Sequence, residues 1–349
     1  SINGEYYVSL AYKYFFKKKK NILIYPIQHF SQWGTPQDFE TYQSWSKTFE
    51  NIKNKHFSNR KFNFNFINVF LMAGLGSRFH QENFKNPKPL IEVSGKPMII
   101  QTIDTLPKTG INLFVLRKDM DKYKKLINIL KNKFKNPLIK SLSTLTEGQA
   151  SSAMLAVDYL KKDKQFKNLP ILFSACDIGV IYNEKLYMNI LKNKKFDLIV
   201  WTTNKINDAK LNPNMYGWVS SKNNEIDKVL VKKQPKIYQK YSLITGIFMF
   251  KNINIFEKCY KSLVLNQNKI NGEFYIDSMI EEAIKLKLKC VNFLLDDYFS
   301  WGTPFELNTF NYWQSYFHKW EGHPYRIESD PFVAKPSQLV KKANEFDLL

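Results

Sequence analysis

The sequence predicts an α/β protein built on a Rossmann-like, mostly parallel sheet with helices on both faces. Short apolar runs of buried-strand type alternate with helical runs over residues 66–318, and such alternation is typical of strand–helix–strand units. A glycine-containing loop follows the first strand directly, and an aspartate ends a later strand. Because ligands bind beyond the carboxyl ends of the strands in such sheets, both features indicate a binding site at one sheet edge.

The individual elements are predicted from the apolar patterning. Residues Ile67–Met72 form a short apolar run, as expected of a strand that is buried on both faces. Pro304 suits the first position of a helix that begins near Phe305, and a short helical run starts at Ser337. The other predicted elements are, in order, helix 98–106, strand 113–116, helix 122–133, helix 151–160, strand 171–174 and strand 197–202.

The charge balance is strongly basic, with 52 Lys and Arg residues against 31 Asp and Glu residues and a net charge of +21. This balance alone would suit a nucleic-acid or membrane-surface binder. Only four of the basic residues are arginines, however, and arginine is the side chain best suited to forking bases and phosphates. The lysines are spread along the chain, so we expect polyanionic substrates and no nucleic acid.

Two other classes, membrane-spanning proteins and disulfide-stabilised secreted proteins, are also disfavoured. No segment reaches the roughly 18 uninterrupted apolar residues of a membrane helix, so neither a span nor a secretory signal peptide is expected. The three cysteines, Cys176, Cys259 and Cys290, are too few for a disulfide framework and lack the paired spacing of a zinc site. A reducing, cytoplasmic setting is therefore expected.

An internal repeat organises the sequence. Residues 2–49 align without a gap onto residues 270–317 at a constant offset of 268, with 14 identities over 48 positions. Two motifs recur at the same spacing in both copies, and three later positions match as well. The matched sets are Asn3-Gly4-Glu5-Tyr6-Tyr7 with Asn271-Gly272-Glu273-Phe274-Tyr275, Trp33-Gly34-Thr35-Pro36 with Trp301-Gly302-Thr303-Pro304, and Thr41, Trp45 and Phe49 with Thr309, Trp313 and Phe317.

The repeat predicts the domain organisation. Residues 1–50 are expected to be the C-terminal remnant of an upstream tandem copy; a duplicated accessory segment that packs on the main domain is the alternative. Residues 51–65 are rich in Lys, Asn and Phe without a clean period and are predicted to be a linker. Residues 66–318 are predicted to form one complete domain, and residues 319–349 a tail or the lead-in to a further domain.

The strongest functional signal is the loop Ala73-Gly74-Leu75-Gly76-Ser77-Arg78, which follows the first strand. Its two glycines allow the backbone to approach a phosphate closely, and its N–H groups can form an anion-binding nest. Arg78 adds a charged fork for the same phosphates. A tight structural turn is the alternative for a Gly-x-Gly pair on its own. The predicted nucleotide-binding residues of this loop are Ala73, Gly74, Gly76 and Ser77.

Two further motifs make the loop specific: Pro87-Lys88-Pro89-Leu90-Ile91-Glu92-Val93 and Gly95-Lys96-Pro97-Met98-Ile99. With them the chain resembles the sugar-phosphate nucleotidyltransferases, or nucleotide-sugar pyrophosphorylases, whose signature is a Gly-x-Gly-x-Arg loop, Pro-Lys-x-Leu and Gly-x-Pro-Met. The resemblance covers residues 66 to about 318. This variant of the motifs is similar to forms found in bacterial capsule and surface-polysaccharide loci.

The resemblance implies a single displacement, in which a sugar or polyol phosphate attacks the α-phosphorus of a nucleoside triphosphate and pyrophosphate leaves. Such chemistry needs positioning and charge screening rather than a protein nucleophile. Three catalytic residues are implied. Arg78 would hold the leaving phosphates, Lys88 would bridge the α-phosphate and the attacking phosphate, and Asp177 would bind the catalytic Mg²⁺. The alternatives are a solvated lysine for Lys88 and a helix-capping role for Asp177.

One position departs from the family pattern. Family members often carry a second metal-binding aspartate two residues before the glycine of the Gly-Thr motif, and this chain has Ser300 there. Asp296 and Asp297 lie just upstream and are the expected substitutes.

The resemblance also implies binding residues for both substrates. Gly148 and Gln149 correspond to the family loop that reads the base; an N-cap by Ser151 or Ser152 is the alternative. On the acceptor side, Tyr-Gly-Trp-Val, Lys-Lys-Gln-Pro, Thr-Gly-Ile-Phe and Gly-Glu-Phe-Tyr segments match the family's pocket walls. The predicted acceptor-binding residues are Tyr216, Gly217, Lys232, Gly246 and Glu273; Lys233 is the alternative to Lys232 for the acceptor phosphate, and a packing role is the alternative for each of these segments.

The expected function is a nucleotidyltransferase that supplies an activated precursor for capsule or another surface glycan. CTP is the favoured nucleotide, because the resembling forms include cytidylyltransferases, and UTP and GTP stay open. A GT-A-type glycosyltransferase also uses an aspartate metal ligand after a strand, but the glycine loop suits a triphosphate better than a sugar diphosphate. A non-catalytic nucleotide-binding copy in a multidomain protein is the third alternative, motivated by Ser300.

Overall fold

The computed structural model describes residues 4–54, 65–206 and 208–344. The chain divides into two compact units, Ser1–Phe39 and Glu40–Leu349. Most of the predicted linker, residues 55–64, lies outside the described residues, whereas residues 51–54 belong to a helix rather than to a linker. The origin of residues 1–50 in a tandem copy, and the predicted domain bounds, stay predictions.

Strands and helices alternate over the larger unit. Among the described residues, no helix has both the length and the hydropathy that crossing a bilayer requires. The strands are β1 (Ile67–Met72), β2 (Glu92–Val93), β3 (Lys96–Pro97), β4 (Ile111–Arg117), β5 (Leu138–Leu142), β6 (Ile171–Ser174), β7 (Ile178–Ile181), β8 (Leu198–Thr203), β9 (Gly217–Lys222), β10 (Glu225–Val231), β11 (Ser242–Phe250), β12 (Cys290–Leu294) and β13 (Asp297–Ser300). The helices are α1 (Ser9–Lys17), α2 (Pro36–Asn54), α3 (Ser77–Gln81), α4 (Met98–Thr105), α5 (Tyr123–Lys133), α6 (Gln149–Leu160), α7 (Glu184–Asn193), α8 (Ile253–Leu265), α9 (Ile276–Lys285), α10 (Pro304–Lys319) and α11 (Pro336–Asn344).

The central sheet has nine strands in the order β5-β4-β1-β6-β11-β8-β12-β10-β9. Strands β5, β4, β1 and β6 are parallel neighbours, and so are β8 and β12. Strand β11 runs antiparallel to both β6 and β8, and β10 runs antiparallel to β12 and β9. The α/β class is confirmed. The sheet is mixed, because β9, β10 and β11 add an antiparallel part to the predicted parallel one.

Strand β1 shows why a mostly apolar run becomes a central strand, since five of its six residues are apolar. Ile67, Val69 and Leu71 pack in one hydrophobic core, and Phe70 and Met72 pack in another. Successive side chains of a strand point to opposite faces, so a strand covered on both sides is apolar at nearly every position. The exception in β1 is the buried Asn68, whose Nδ2 donates to the carbonyl of Pro107 at 3.0 Å. Helices α6, α8 and α9 contribute to the first core and α4, α5 and α7 to the second. Helices therefore cover both faces, as predicted.

A third apolar cluster joins α2, α10 and the C-terminal segment. Phe49 is fully buried, and its ring centroid lies 5.8 Å from that of Phe310, 5.5 Å from Phe317 and 4.7 Å from Tyr325. The aromatic side chains of residues 309–320 therefore serve packing, as their helical spacing indicates. The predicted tail belongs to this cluster through Tyr325, Ile327, Phe332, Leu339 and Ala343.

A buried charge fixes α2 to the rest of its unit. Asp297 is fully buried and accepts hydrogen bonds from Thr48 Oγ1 and Asn51 Nδ2, both 2.6 Å long, and from Lys205 Nζ. Burial lowers the pKa of Lys205, and the charge of Asp297 offsets only part of that effect. A buried carboxylate that loses its partners destabilises a fold strongly. Thr48 and Asn51 of α2 therefore stabilise the larger unit by donating to Asp297.

We predict that Phe49→Ala lowers the free energy of unfolding by about 3–5 kcal/mol, because it removes a fully buried ring and leaves a cavity. Urea denaturation measures the change. Phe305→Ala is the matched control, since Phe305 is 63% exposed at the start of α10, and its effect should stay within about 0.5 kcal/mol. Equal losses in the two variants would show that α2 does not pack as described.

Candidate active site

The glycine loop lies between β1 and α3 and is shaped by one left-handed residue. Gly76 has a φ of 65° and directly precedes α3. A Cβ at this position would lie 3.3 Å from Lys88 Cβ, so the missing side chain lets the loop and Lys88 approach closely. Among the described residues, the N–H groups of Leu75 and Gly76 have no hydrogen-bond acceptor. The loop therefore presents backbone donors beside a cation, as predicted for a phosphate site.

A cleft of about 480 Å³ opens beside this loop. Arg117, at the end of β4, is a lining residue that the sequence did not reveal. Its Nε and Nη2 atoms donate to Asp119 at 2.8 and 3.0 Å, while the buried Nη1 atom has no partner in the described part of the chain. An unsatisfied guanidinium N–H at a cleft wall suits a polar or anionic ligand group. The lining also includes Gly74, Ser77, Lys88 and Asp121.

Two predicted catalytic residues meet in an ion pair. Lys88 lies in a single helical turn after the glycine loop, Asp177 follows β6, and the Nζ and Oδ2 atoms are 2.5 Å apart. Burial alone would lower the pKa of Lys88, but the charge and hydrogen bond of Asp177, together with contributions from Cys176 and Glu306, outweigh burial and the net pKa is raised. The lysine therefore stays protonated at neutral pH. A permanent positive charge held by a strand-end carboxylate is what a site for two phosphates requires.

The backbone around Asp177 is held by the Trp-Gly-Thr-Pro turn. The N–H of Trp301 donates to the carbonyl of Asp177 at 2.8 Å. A Cβ on Gly302 would lie 2.9 Å from Asp177 Oδ2, 3.2 Å from Glu306 Oε2 and 3.4 Å from Ser300 Oγ. Three oxygen atoms therefore surround one point that only a glycine leaves open.

Glu306 is the second carboxylate at this point, and the sequence analysis missed it. The expected substitute Asp297 is wrong, because its carboxylate faces Lys205 and α2 inside the fold. Asp296 is exposed after β12. Glu306 escaped notice because its backbone N–H and side chain cap α10 with Thr303 Oγ1, at 3.1 and 2.9 Å. A capping box predicts a helix start and gives no hint of a second role.

The acceptor side is built around a carboxylate that the sequence analysis also missed, Asp277 at the start of α9. A Cβ on Gly217 would lie 2.3 Å from Asp277 Oδ2, so only glycine admits this contact. Tyr216 donates its hydroxyl to Glu306 Oε1 at 3.2 Å. Burial raises the pKa of Asp277 to about 6, against an opposing contribution from Lys232. The predicted Tyr216 and Gly217 thus connect the two carboxylates.

Lys232 lies on the predicted acceptor side and is within reach of the charge of Arg78. Its Nζ donates to the carbonyl of Met215 and lies 5.3 Å from the ring centroid of Tyr275. Burial lowers its pKa, Asp277 opposes the change, and the charge of Arg78 lowers the pKa further. The exposed Arg78 is therefore close enough for its charge to reach Lys232.

The segment predicted to read the base is hydrogen-bonded to the predicted acceptor wall. Gly148 has a φ of 106°, and a Cβ there would lie 2.6 Å from the carbonyl oxygen of Phe274. The N–H of Phe274 donates to the Glu147 carbonyl at 2.7 Å, and the N–H of Ala150 donates to the Phe274 carbonyl at 2.9 Å. Gln149 is the first residue of α6. The predicted nucleotide residues Gly148 and Gln149 therefore lie beside the predicted acceptor residue Glu273.

Neither serine caps α6. The N-cap residue is Gly148, so no side chain caps this helix. Ser151 contacts Tyr260 at 3.2 Å, and Ser152 contacts Thr146 at 2.6 Å. The N-cap alternative for this segment is wrong.

Two predicted acceptor residues complete the wall. Glu273 is exposed and accepts a 2.5 Å hydrogen bond from the hydroxyl of Tyr275. Gly246 has a φ of 80° in β11, within the register shift between Ile244 and Phe248, and its Cβ position is open space. The structure therefore brings Glu273 into contact with the Lys232 side of the site through Tyr275, but it describes no contact of Gly246 with the other predicted residues.

A small cavity adjoins the acceptor side, and α2 forms one of its walls. Tyr216, Ser300 and Glu306 line it from the site, and Lys205 lines it from the loop after β8. The α2 lining consists of Thr41, Ser44, Trp45 and Thr48. Three hydroxyl side chains on one helix face thus lie near the predicted acceptor pocket.

The fold and this site define the class of α/β proteins to which the nucleotide-diphospho-sugar transferases belong. Residues 67–315 match the family model described as nucleotidyl transferase. The chain belongs to this family, and it is a nucleotidyltransferase of the sugar-phosphate type.

Individual relatives agree with this assignment. Over 221 residues the chain is 26% identical to the bifunctional protein GlmU of Methanococcus aeolicus, a match that covers 62% of this chain and 46% of that protein. The chain thus spans about half the length of this curated relative.

Three solved structures share the fold. A nucleoside-diphosphate-sugar pyrophosphorylase from Vibrio cholerae has a TM-score of 0.56 at 19% identity, over 70% of this chain and 99% of that one. The inositol-1-phosphate CTP transferase of T. maritima has a TM-score of 0.53 at 16% identity, and the match covers 71% of this chain and 95% of that one. A UDP-glucose pyrophosphorylase in complex with UDP-glucose has a TM-score of 0.55 at 14% identity, and the match covers 74% of this chain and 100% of that one.

We predict that Asp277→Asn changes how stability depends on pH. The pKa of Asp277 is raised in the folded state, so its contribution is fully present below about pH 4 and is lost as pH rises through about 6. The wild type should therefore lose about 2 kcal/mol more than the variant between pH 4 and pH 7. Urea denaturation across this range measures the difference. Asp158→Asn, at an exposed site on α6, is the control. If the free energy of unfolding of Asp277→Asn changed with pH in parallel with that of the wild type, the burial of this carboxyl would be contradicted.

Proposed function

We propose that the chain transfers a nucleotidyl group from a nucleoside triphosphate to a sugar or polyol phosphate and releases pyrophosphate. The observation that carries the proposal is the Lys88–Asp177 ion pair, which lies beside the glycine loop. Arg78 lies in α3 and Lys232 follows β10, and the charge of Arg78 acts on Lys232. Two polyanions repel each other, and these cations reduce that repulsion where the reacting groups must meet.

The chain's own residues have separate tasks in this reaction. The backbone of the glycine loop and Arg78 hold the β- and γ-phosphates. Lys88 lies between the α-phosphate and the attacking phosphate and stabilises charge on the equatorial oxygens. Lys232 holds the acceptor phosphate. An acceptor phosphate oxygen forms the new bond to the α-phosphorus while the bond from that phosphorus to the bridging oxygen of the leaving pyrophosphate breaks.

The donor set near Gly302 fits Mg²⁺. Asp177, Glu306 and Ser300 supply hard oxygen atoms around one point. In the described residues no three or more His, Cys, Asp or Glu side chains form a metal site, but Mg²⁺ in phosphate sites commonly uses one or two carboxylates together with the substrate phosphates. When bound, the ion would neutralise charge that develops on the phosphate oxygens. Asp177 is its first proposed ligand and Glu306 its second.

The acceptor side suits a molecule with several hydroxyl groups. Tyr216, Glu273 and the hydroxyl face of α2 can donate to or accept from such groups. CTP is the proposed nucleotide, and one solved structure of this fold is named as a CTP transferase. We propose a role in making the precursor of a capsule or surface polysaccharide, in the cytoplasm, where nucleoside triphosphates are available.

The two alternatives lose their support. The family assignment is to nucleotidyl transferases, so a GT-A-type glycosyltransferase is not proposed. A non-catalytic copy was motivated by the missing aspartate at Ser300, and Glu306 offers a second carboxylate at that place.

A matrix of four nucleoside triphosphates against phosphorylated sugars, polyols and inositols tests the function. We expect pyrophosphate release with CTP and at least one acceptor in the presence of Mg²⁺. Reactions without acceptor control for hydrolysis. If no pair releases pyrophosphate above that control, the proposed reaction is wrong.

We predict that Lys88→Ala and Asp177→Asn each lower kcat by at least about 100-fold, because each removes charge stabilisation that the transition state needs. Lys85→Ala and Asp158→Asn change the same charges at exposed positions and should retain wild-type rates. Circular dichroism checks that all four variants fold. Wild-type activity in either site variant would remove that residue from the mechanism.

A further inference from the structure

The sequence repeat is preserved in backbone detail. At the offset of 268, α1 and α9 end on equivalent residues, Lys17 and Lys285. Two residues later both chains turn left-handed, with φ values of 49° at Lys19 and 55° at Lys287. The three hydrogen bonds that end each helix join equivalent atoms in the two copies. Unit Ser1–Phe39 therefore reproduces the end of α9 and the turn that follows it in geometry and not merely in composition.

The turn into the second helix is repeated as well. Thr35 Oγ1 donates to Asp38 Oδ2 at 2.8 Å, and Thr303 Oγ1 donates to Glu306 Oε2 at 2.9 Å. Both threonines precede a proline that opens a helix, α2 in one copy and α10 in the other. The first copy thus places an acidic residue where the second copy has the carboxylate near Asp177.

A piece of the acceptor wall is retained in the first copy. The hydroxyl of Tyr7 donates to Glu5 Oε2 at 2.5 Å, as the hydroxyl of Tyr275 does to Glu273 Oε2. Gly4 has a φ of 81°, and its equivalent Gly272 has 79°. The first copy therefore keeps both side chains and the hydrogen bond between them.

Burial distinguishes the two copies. In the larger unit, α9 buries Ile276, Met279 and Ile280, and β12 lies between β8 and β10. By contrast, α1 has no buried residue, and Leu23 and Tyr25, at positions equivalent to β12, are 95% and 88% exposed. Exposed apolar surface of this extent marks an interaction site. What unit Ser1–Phe39 lacks is the sheet that its equivalent elements pack on.

Helix α2 leads from this unit into a symmetric pairing with its own equivalent. Its later turns contact α10 through aromatic residues, and each contact has a reciprocal one, as in an isologous interface between two copies. Equivalent residues also contact each other: the ring centroids of Trp45 and Trp313 are 6.4 Å apart, and those of Phe49 and Phe317 are 5.5 Å apart. The reciprocal pairs are Tyr42–Phe317 with Phe49–Phe310 and Tyr42–Trp313 with Trp45–Phe310.

We propose that unit Ser1–Phe39 completes a second domain of this fold and forms the acceptor wall of a second nucleotidyltransferase site. Residues 22–26 add as a strand between the equivalents of β8 and β10, and α1 covers the sheet as α9 does. The partner is the body of another copy of the domain, and α2 continues from it into the α2–α10 pair. The proposal of a second site rests on the proposed function.

The second site would take a different phosphorylated acceptor. Ser9 stands at the position of Asp277, and Gln32 at the position of Ser300. The change at Ser9 removes the carboxylate that accompanies Lys232. The Glu5–Tyr7 pair keeps the means to bind substrate hydroxyls.

A tandem fusion tests the proposal without relying on turnover. Residues 66–269 are joined directly in front of residue 2 of the full chain, so that residues 2–39 follow a body at the native spacing. We expect the amides of α1 to exchange at least about 100-fold more slowly in the fusion than in the unfused chain. A fusion in which residues 8–25 are scrambled is the control.

A second fusion controls for side chains that do not match between residues 66–269 and residues 2–39. It carries Leu10→Ser, Tyr14→Glu and Phe15→Ala, which restore the buried residues of α9 at the equivalent positions. The proposal is overturned if α1 exchanges as fast in both fusions as in the scrambled control.

The acceptor wall is tested separately. With Lys88→Ala in the downstream body, only the upstream site can turn over, and Glu5→Gln should then raise the acceptor KM at least about 10-fold while the nucleotide KM stays the same. An unchanged acceptor KM would contradict the second site. Absence of any turnover would count against the proposed function, and amide exchange would still decide whether the unit completes a domain.

Discussion

The contact between Lys88 and Asp177 is the interaction around which the site is arranged. A substrate pair of two phosphates needs a cation that keeps its proton and its position, and a lysine alone provides neither. Asp177 raises the pKa of Lys88 against the effect of burial. The missing Cβ of Gly76 leaves room for the lysine stem, and the Trp301 N–H holds the Asp177 backbone. Three distant parts of the chain therefore determine one charge pair.

The turn of residues 301–306 takes part both in the proposed active site and in the packing of α10. It holds Asp177 on one side, and on the other it opens α10, whose aromatic face packs against α2. Gly302 leaves open the point that three oxygen atoms surround, so the same turn that begins a helix shapes the proposed metal site. Through α10 and Asp297, segment 40–54 is part of the structure that supports the site, although it lies outside the region that matches the family model.

The sequence was informative where the chemistry lies in contiguous motifs. Strand β1, the glycine loop and Lys88 are close in the chain and have few structural alternatives, and the structure brings Lys88 to Asp177. Asp297 was misjudged because proximity in sequence does not tell toward which side of β13 a carboxylate points. Glu306 and Asp277 were missed because each opens a helix, where an acidic residue is favoured anyway. Arg117 lacked any motif, and its place depends on the end of β4.

Long-range packing set the other limit. Strand β11 has the apolar character of a parallel strand, and only its pairing with β6 and β8 makes it antiparallel. The repeat was visible as matching letters, but its symmetric α2–α10 contacts depend on how two helices cross. Neither feature is encoded in local periodicity.

The most direct test of the central claim is a crystal structure of the chain with Mn²⁺ and a CTP analogue that carries a non-cleavable α,β-bridge. The account predicts the α-phosphate within about 4 Å of Lys88 Nζ and an anomalous Mn²⁺ peak beside Asp177. A nucleotide bound away from the glycine loop, with Lys88 and Asp177 still paired and untouched, would contradict it.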